Sequence, residues 1–444
     1  MTKPIKGLVT RFLLVLSISA SLFVSAPAQI TAPEPQITAF EVNGLKVLIK
    51  RRPGTPTVAA GLFFRGGVQN MTPENAGIEG FTLAAGTEGG KLFPLQTLRK
   101  ETSRIGTGIG SASTYDYSAI SLACTKPNFD KSWAMFVDVA LNPEFRPESV
   151  ERIRDAILSS LRTQNDSPEG TLDNATDKIV YAGHPYAIDP QGTVENISRF
   201  SAADLIAYHK KMMQTSRMLL VVVGDVEPEV LKQRIAASFG TLPRGDYKST
   251  PLPPLKFTEP SVDITSKPIQ TDYVKGTFAA PSINDADYFA MRTAITVLQS
   301  RVFQEVRVKR NLSYAPDAEI SSLGANTAAI TVSSVNPNEA IRVMLGEIQR
   351  LKQGDVDQDT IGQMAGYFLT TYYLKEETNA AQVAELAQYE LIGGGWQRSL
   401  EFLDKIRSVK NSDVQAAANK YMKNIKFVVV GNPADVDRSV FLAK

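Results

Sequence analysis

Two stretches of the chain share one pattern of apolar and polar positions. In "SAADLIAYHKKMMQTSRMLLVVVGDVEPEVL", apolar residues at helical spacing lead through a short polar turn into an unbroken apolar run closed by Gly224. Acidic and Pro residues then open another helix. In "KNSDVQAAANKYMKNIKFVVVGNPADVD" the same events recur, and Gly431 closes the strand. Each copy ends a half that begins with strands, "LKVLIKRR" and "TVAAGLFFRGG" in the first and "TDYVKGTFAAP" in the second. Long amphipathic helices such as "PESVERIRDAILSSLRTQ" and "NEAIRVMLGEIQRLKQG" follow. Between the halves lies "LPRGDYKSTPLPPLKFTEPSV", with five prolines and few periodic apolar positions, the composition of an extended linker. The pattern predicts an α+β fold of two tandem homologous domains, each a mostly antiparallel sheet covered by helices, together forming a clam-like shell. Residues 29–242 make the first domain, 243–262 the Pro-rich linker and 263–444 the second domain.

The first residues change the picture of where the chain resides. A basic "MTKPIKGLVTR", an apolar "FLLVLSISASLFVSA" and the small residues around Pro27 read as a secretory signal peptide, residues 1–28, removed before Gln29. The apolar run is shorter than the roughly 20 residues that span a bilayer, so a periplasmic or secreted protein without stable membrane insertion is expected. Without Lys3, Lys6 and Arg11 the formal charge of +2 becomes −1, which gives no basic surface for nucleic acid. Cys124 is the only cysteine, so no intramolecular disulfide forms, and in "SAISLACT" it reads as a buried strand thiol. There is no Gly-rich phosphate loop, no G-x-S-x-G and no usable Cys/His pair.

The blocks "ENAGIEGFTLAAGT", "GHPYAIDPQGTVENISRFSAADLIAYHKKMM", "LLVVVGDVEPEVL", "SFGTLP" and "FQEVRVKRNLSY", in that order, resemble the pitrilysin and insulinase zinc peptidases. The similarity is to the branch that includes mitochondrial processing peptidase and two-chain bacterial peptidases. In active members "GIEGFTLAAGT" would read G-x-x-H-x-x-E-H, with two histidines one helical turn apart binding zinc and the glutamate activating water. Here Gly80 and Ala84 stand at the histidine positions and Leu83 at that of the base. The third ligand, a glutamate in active members, falls at about Ser160. The two histidines present are His184, which resembles a turn residue of the family, and His209, a packed or solvated helix residue. The expectation is a peptidase-like first domain with a degenerate zinc motif and no metal of its own.

The second half keeps what the resemblance pairs with that motif. Arg307 and Tyr314 match an arginine and a tyrosine that in family members reach across a central chamber to the substrate. In two-chain members one subunit carries the zinc motif and the other the Arg/Tyr pair. The resemblance therefore implies a non-zinc-binding subunit of a heterodimeric metallopeptidase, inactive alone. Zinc would reside in a homologous partner with intact H-x-x-E-H, and the substrate would be an unfolded peptide. A peptide added as an edge strand would lie beside "TGIGSASTYDYSAISL", Thr107 to Leu122. "LIGGGW" reads as a helix C-terminus and turn. The alternative is a non-catalytic peptide-binding or scaffold protein of the same fold, in which Arg307 and Tyr314 are inherited structure.

Overall fold

Apolar runs become strands and amphipathic stretches become helices in the order the sequence gives them. The computed structural model describes residues 37–442. Its first half contains β1 (Ile37–Val42), β2 (Leu45–Arg51), β3 (Thr57–Arg65), α1 (Ile78–Gly86), α2 (Leu95–Ile105), β4 (Gly108–Ser113), β5 (Tyr117–Thr125) and α3 (Phe129–Leu141). It continues with α4 (Pro147–Asp166), α5 (Pro168–Val180), α6 (Val194–Arg199), α7 (Ala202–Met212), β6 (Met218–Gly224) and α8 (Pro228–Ala237). In the second half come β7 (Ser261–Ser266), β8 (Asp272–Ala279), α9 (Tyr288–Val302), β9 (Asp317–Ile320), β10 (Thr327–Ser334), α10 (Pro337–Lys352) and α11 (Gln358–Lys375). They are followed by α12 (Asn379–Ile392), α13 (Gln397–Leu400), α14 (Phe402–Arg407), α15 (Asn411–Tyr421), β11 (Lys426–Gly431) and α16 (Arg438–Phe441). Residues 242–260 form neither helix nor strand. The expected signal peptide lies outside the described residues.

The duplication is visible in the sheets. Their orders are β1-β2-β6-β3-β5-β4 and β7-β11-β8-β10-β9. Removing the edge strand β1 makes the two identical, with β7, β11, β8, β10 and β9 standing for β2, β6, β3, β5 and β4. Each sheet has one parallel pair, β2 with β6 (Lys46 opposite Leu219) and β7 with β11 (Ser261 opposite Lys426); its other pairs are antiparallel. A parallel pair cannot be closed by a hairpin, so the chain between β2 and β6 is long, and it carries the helices that cover the sheet.

Each sheet buries one face under its own helices. The opposite face is covered by a helix from the other half. Val383, Leu386 and Ala387 of α12 pack on Leu48, Phe63, Leu219, Val221 and Val223 of the first sheet. Reciprocally, Leu172 of α5 packs on Val428 and Val430 of the second. This exchange explains why "MLLVVVG" of β6 is apolar at successive positions rather than alternating: it is buried on both faces. Polar contacts reinforce the exchange. Lys46 Nζ lies 2.6 Å from Glu390 Oε1, Asn379 Nδ2 donates to the Thr57 carbonyl at 2.7 Å, and Lys275 Nζ lies 3.0 Å from Asp173. The halves therefore pack as one compact body.

Candidate functional site

α1 enters from Gly77, whose φ of 85° and whose approach to Gly192 leave no room for a side chain: a Cβ there would lie 2.6 Å from the Gly192 Cα. That contact seats the 189–192 loop against the start of α1. On the helix, Leu83 is buried in the first-half core, while Gly80 and Ala84 are half-buried. A Cβ on Gly80 would meet Ser113 Cβ of β4 at 3.3 Å and the Pro190 carbonyl oxygen at 3.5 Å. Ser160 lies exposed on α4. Glycine, leucine and alanine present no side-chain lone pair, so these positions do not fit a zinc ion. Among the described residues no group of three or more His, Cys, Asp or Glu side chains is placed to hold a metal.

The two histidines have other occupations. His184 accepts from the Tyr186 N–H at Nδ1, 3.1 Å, which leaves Nε2 to donate to the Pro253 carbonyl, 3.0 Å, and ties a turn to the Pro-rich segment. His209 donates from Nε2 to the Ala140 carbonyl at 2.9 Å and packs edge-on against Phe145; its burial lowers the imidazole pKa. Cys124 is a buried free thiol.

Sequence reasoning missed the charge beside the degenerate motif. Glu79, fully buried at the root of α1, lies 2.6 Å from Arg217 Nη2. It also accepts from the Tyr208 hydroxyl at 2.6 Å and the Ser118 hydroxyl at 2.5 Å. Arg217 donates in addition to the Arg65 carbonyl at 3.0 Å and lies over the Tyr247 ring. Burial by itself lowers the Arg217 pKa, but Glu79 and Tyr208 outweigh it and hold the guanidinium above its ordinary value. The signal for this network was a glutamate in "GIEGF" and an arginine in "TSRMLL", single charges in otherwise apolar strings.

Next to α4 is a cavity of about 410 Å3 lined in part by Leu161, Gln164, Asn174, Asp177, Asp189 and Glu195. Burial raises the pKa of both Asp177 and Asp189, and Tyr115 donates to Asp177 at 2.9 Å.

Arg307 and Tyr314 are brought together. Arg307 lies on a π-helical turn, Phe303–Val308, that extends α9, a distortion frequent at functional positions. Its guanidinium carbon is 4.3 Å from the centroid of the Tyr314 ring, and Nη1 donates to Asn311 Oδ1 at 3.4 Å. Tyr314 is 78% exposed. The neighbouring Lys309 and Arg310 both pair with Glu305, whereas Arg307 has no carboxylate partner among the described residues. Phe303 and Val308 are exposed on the same turn. Val335 is exposed as well, next to Ser334, whose hydroxyl donates to the Leu312 carbonyl at 2.7 Å. This turn packs on α9 and α10, whereas α1 packs on α4, α7, β4 and β5, so the chain does not unite the pair with the degenerate motif. β4 is the free edge of its sheet, and "LIGGGW" is the end of α12 and a turn with Gly394 and Gly395 at positive φ.

Comparison with known proteins bears on both halves. A family profile described as "Insulinase (Peptidase family M16)" matches residues 46–192, and one described as "Peptidase M16 inactive domain" matches residues 199–365. The chain belongs to the M16 peptidase family. "Zinc protease PqqE" of Helicobacter pylori is 23% identical over 94% of this chain and 97% of that protein. "Cytochrome b-c1 complex subunit 1, mitochondrial" of Bos taurus is 26% identical over 52% of this chain, which spans about half (48%) of that relative. The crystal structure of a peptidase M16 inactive domain from Pseudomonas fluorescens superposes with a TM-score of 0.82 at 20% identity, over 89% of this chain and 98% of that one. The two-sheet α+β fold is thus the M16 fold. No helix among the described residues is long and apolar enough to cross a membrane.

Proposed function

We propose that this chain is the non-zinc-binding subunit of a heterodimeric metallopeptidase, and that Arg307 and Tyr314 act on a peptide bound at the site of a homologous partner with intact H-x-x-E-H. The observation that carries the reading is the stacked Arg307–Tyr314 pair, its tyrosine exposed, in a chain whose Gly80, Leu83 and Ala84 on α1 offer no zinc ligand. An arginine without a carboxylate and a tyrosine in solvent, set among exposed Phe303, Val308 and Val335, have the character of groups that meet another molecule. The Tyr314 hydroxyl would donate to the oxyanion that develops on the scissile carbonyl, and the Arg307 guanidinium would hold a substrate carbonyl. The zinc belongs to the partner. The N-terminal basic and apolar pattern supports a periplasmic or secreted setting.

The test is peptide hydrolysis by the reconstituted pair. Tyr314→Phe lowers turnover on the order of a hundredfold, about 3 kcal/mol, with heterodimer formation by size-exclusion chromatography unchanged. Arg307→Ala weakens substrate binding as well as turnover, because a charged donor acts in the ground state too. Activity within about twofold of wild type in both variants, with the heterodimer intact, overturns this reading. That outcome favours the scaffold alternative, which the match to a subunit of the cytochrome b-c1 complex supports.

A further inference from the structure

The second half repeats the cavity that lies beside α4. One constant shift along the sequence carries Leu161, Gln164, Asn174 and Asp177 of that lining onto Tyr372, Lys375, Glu385 and Gln388, which line a second cavity among α9, α11 and α12. The duplicated fold has built the hollow twice, and its chemistry has diverged. Three carboxylates, Asp177, Asp189 and Glu195, give the first an acidic lining, whereas the charged side chains of the second are Arg292, Lys375 and Glu385.

Arg292 is the unusual member. Its guanidinium packs against the Phe368–Phe402 pair, with ring centroids 5.6 and 5.7 Å away. One Nη donates to the Tyr288 hydroxyl at 3.2 Å, while the buried Nε has no partner. A guanidinium held against aromatic rings and short of acceptors recovers hydrogen bonds when a planar anion arrives. Glu385 does not supply that anion. It is 9% exposed and abuts the equally buried Glu376, with Lys375 and Lys50 the nearest cations. Burial first, and then the Glu376 carboxyl, push Glu385 up to about 9, so at neutral pH Glu385 keeps its proton and the lining carries a net positive charge. The cavity measures about 120 Å3, well below the several hundred that hold a whole ligand, so it suits the end of a longer molecule.

We propose that this cavity binds the C-terminal carboxylate of a peptide, with Arg292 as the anchor and Phe368, Tyr372 and Phe402 as walls for the last side chain. The proposal rests on the reading that the chain handles peptides. It is tested by binding to the purified chain alone, so its failure is distinguishable from a failure to support hydrolysis. Calorimetry with an N-acetylated hexapeptide ending in Phe, as free acid and as C-terminal amide, is expected to show the acid binding at least tenfold tighter. Arg292→Gln is expected to abolish that preference and Glu385→Gln to retain it. Arg292→Lys, which keeps the charge and loses the fork, provides a second variant should the glutamine form misfold, and is expected to lose most of the preference. Equal binding of acid and amide, or a preference unchanged in both Arg292 variants, overturns the proposal. Benzoate competing as tightly as the peptide acid would overturn the assignment to a peptide end.

Discussion

In the first half Arg217 is enclosed with Glu79, Tyr208 and Ser118 at the root of α1, whereas in the second half Arg307 stands over an exposed Tyr314 at the end of α9. The two helices follow equivalent strands of one duplicated topology, β3 and β8. What differs is the solvent around the charge. A buried guanidinium must be matched by a carboxylate and hydrogen bonds, so Glu79 and Arg217 are bound to the stability of α1. Arg307, half-buried beside a solvent-exposed ring and without a carboxylate among the described residues, carries no such obligation and can be altered without disturbing the core. Topology is shared by the halves; roles are set by burial.

The largest effect expected from this comparison is at Glu79. Glu79→Ala leaves Arg217 buried without its counter-charge and should cost about 3–5 kcal/mol, read from the urea midpoint. Replacing both partners together, Glu79→Leu with Arg217→Met, should recover most of that loss, because no unpaired charge remains. A single-variant cost under about 1 kcal/mol would break the comparison.

Next comes the exchange of helices. Leu386→Ala on α12 removes a buried side chain from the face it shares with the first sheet and should cost about 2–5 kcal/mol. Because that helix belongs to the second half, unfolding is expected to remain one cooperative transition. Two separated transitions already in the wild-type chain would mean that the exchanged helices do not couple the halves.

A smaller, pH-dependent effect is expected at Glu385. Its folded pKa lies above the ordinary value, so between about 4.5 and about 9 the folded chain keeps a proton that the unfolded chain releases. Stability from this group therefore falls as pH rises through that window. Glu385→Gln lacks the ionisation and should gain on wild type as pH rises, by about 1 kcal/mol or more at pH 8. A stability difference that is flat between pH 5 and 9 would remove the buried acid pair from the account. The smallest effect is at the stacked pair: Arg307→Ala and Tyr314→Phe should each change stability by less than about 0.5 kcal/mol, checked by the same urea titration.

Much of this organisation was legible from the residues. The repeated helix, turn and strand gave the duplication, and the "VVVG" runs became β6 and β11 at equivalent places in their sheets. That Gly80, Leu83 and Ala84 carry no side-chain donor was readable from identity alone, whatever the fold does. Proximity of Arg307 and Tyr314 was also within reach, because seven positions of turn keep them near each other. The Glu79–Arg217 pair was not. Its members are far apart in sequence, and only the pairing of β3 with β6 brings the start of β6 beneath α1.

The sequence by itself determined the elements and their duplicated order, because periodicity and capping are local properties. Only the tertiary structure decided that α5 and α12 change places, that Glu79 meets Arg217, and that one duplicated cavity is acidic while the other holds Arg292 against a pair of aromatic rings. Each of these depends on which surfaces touch. An amphipathic helix specifies that it must bury a face but not whose sheet it covers, and a lone charge in an apolar string specifies that it needs a partner but not where along the chain that partner lies.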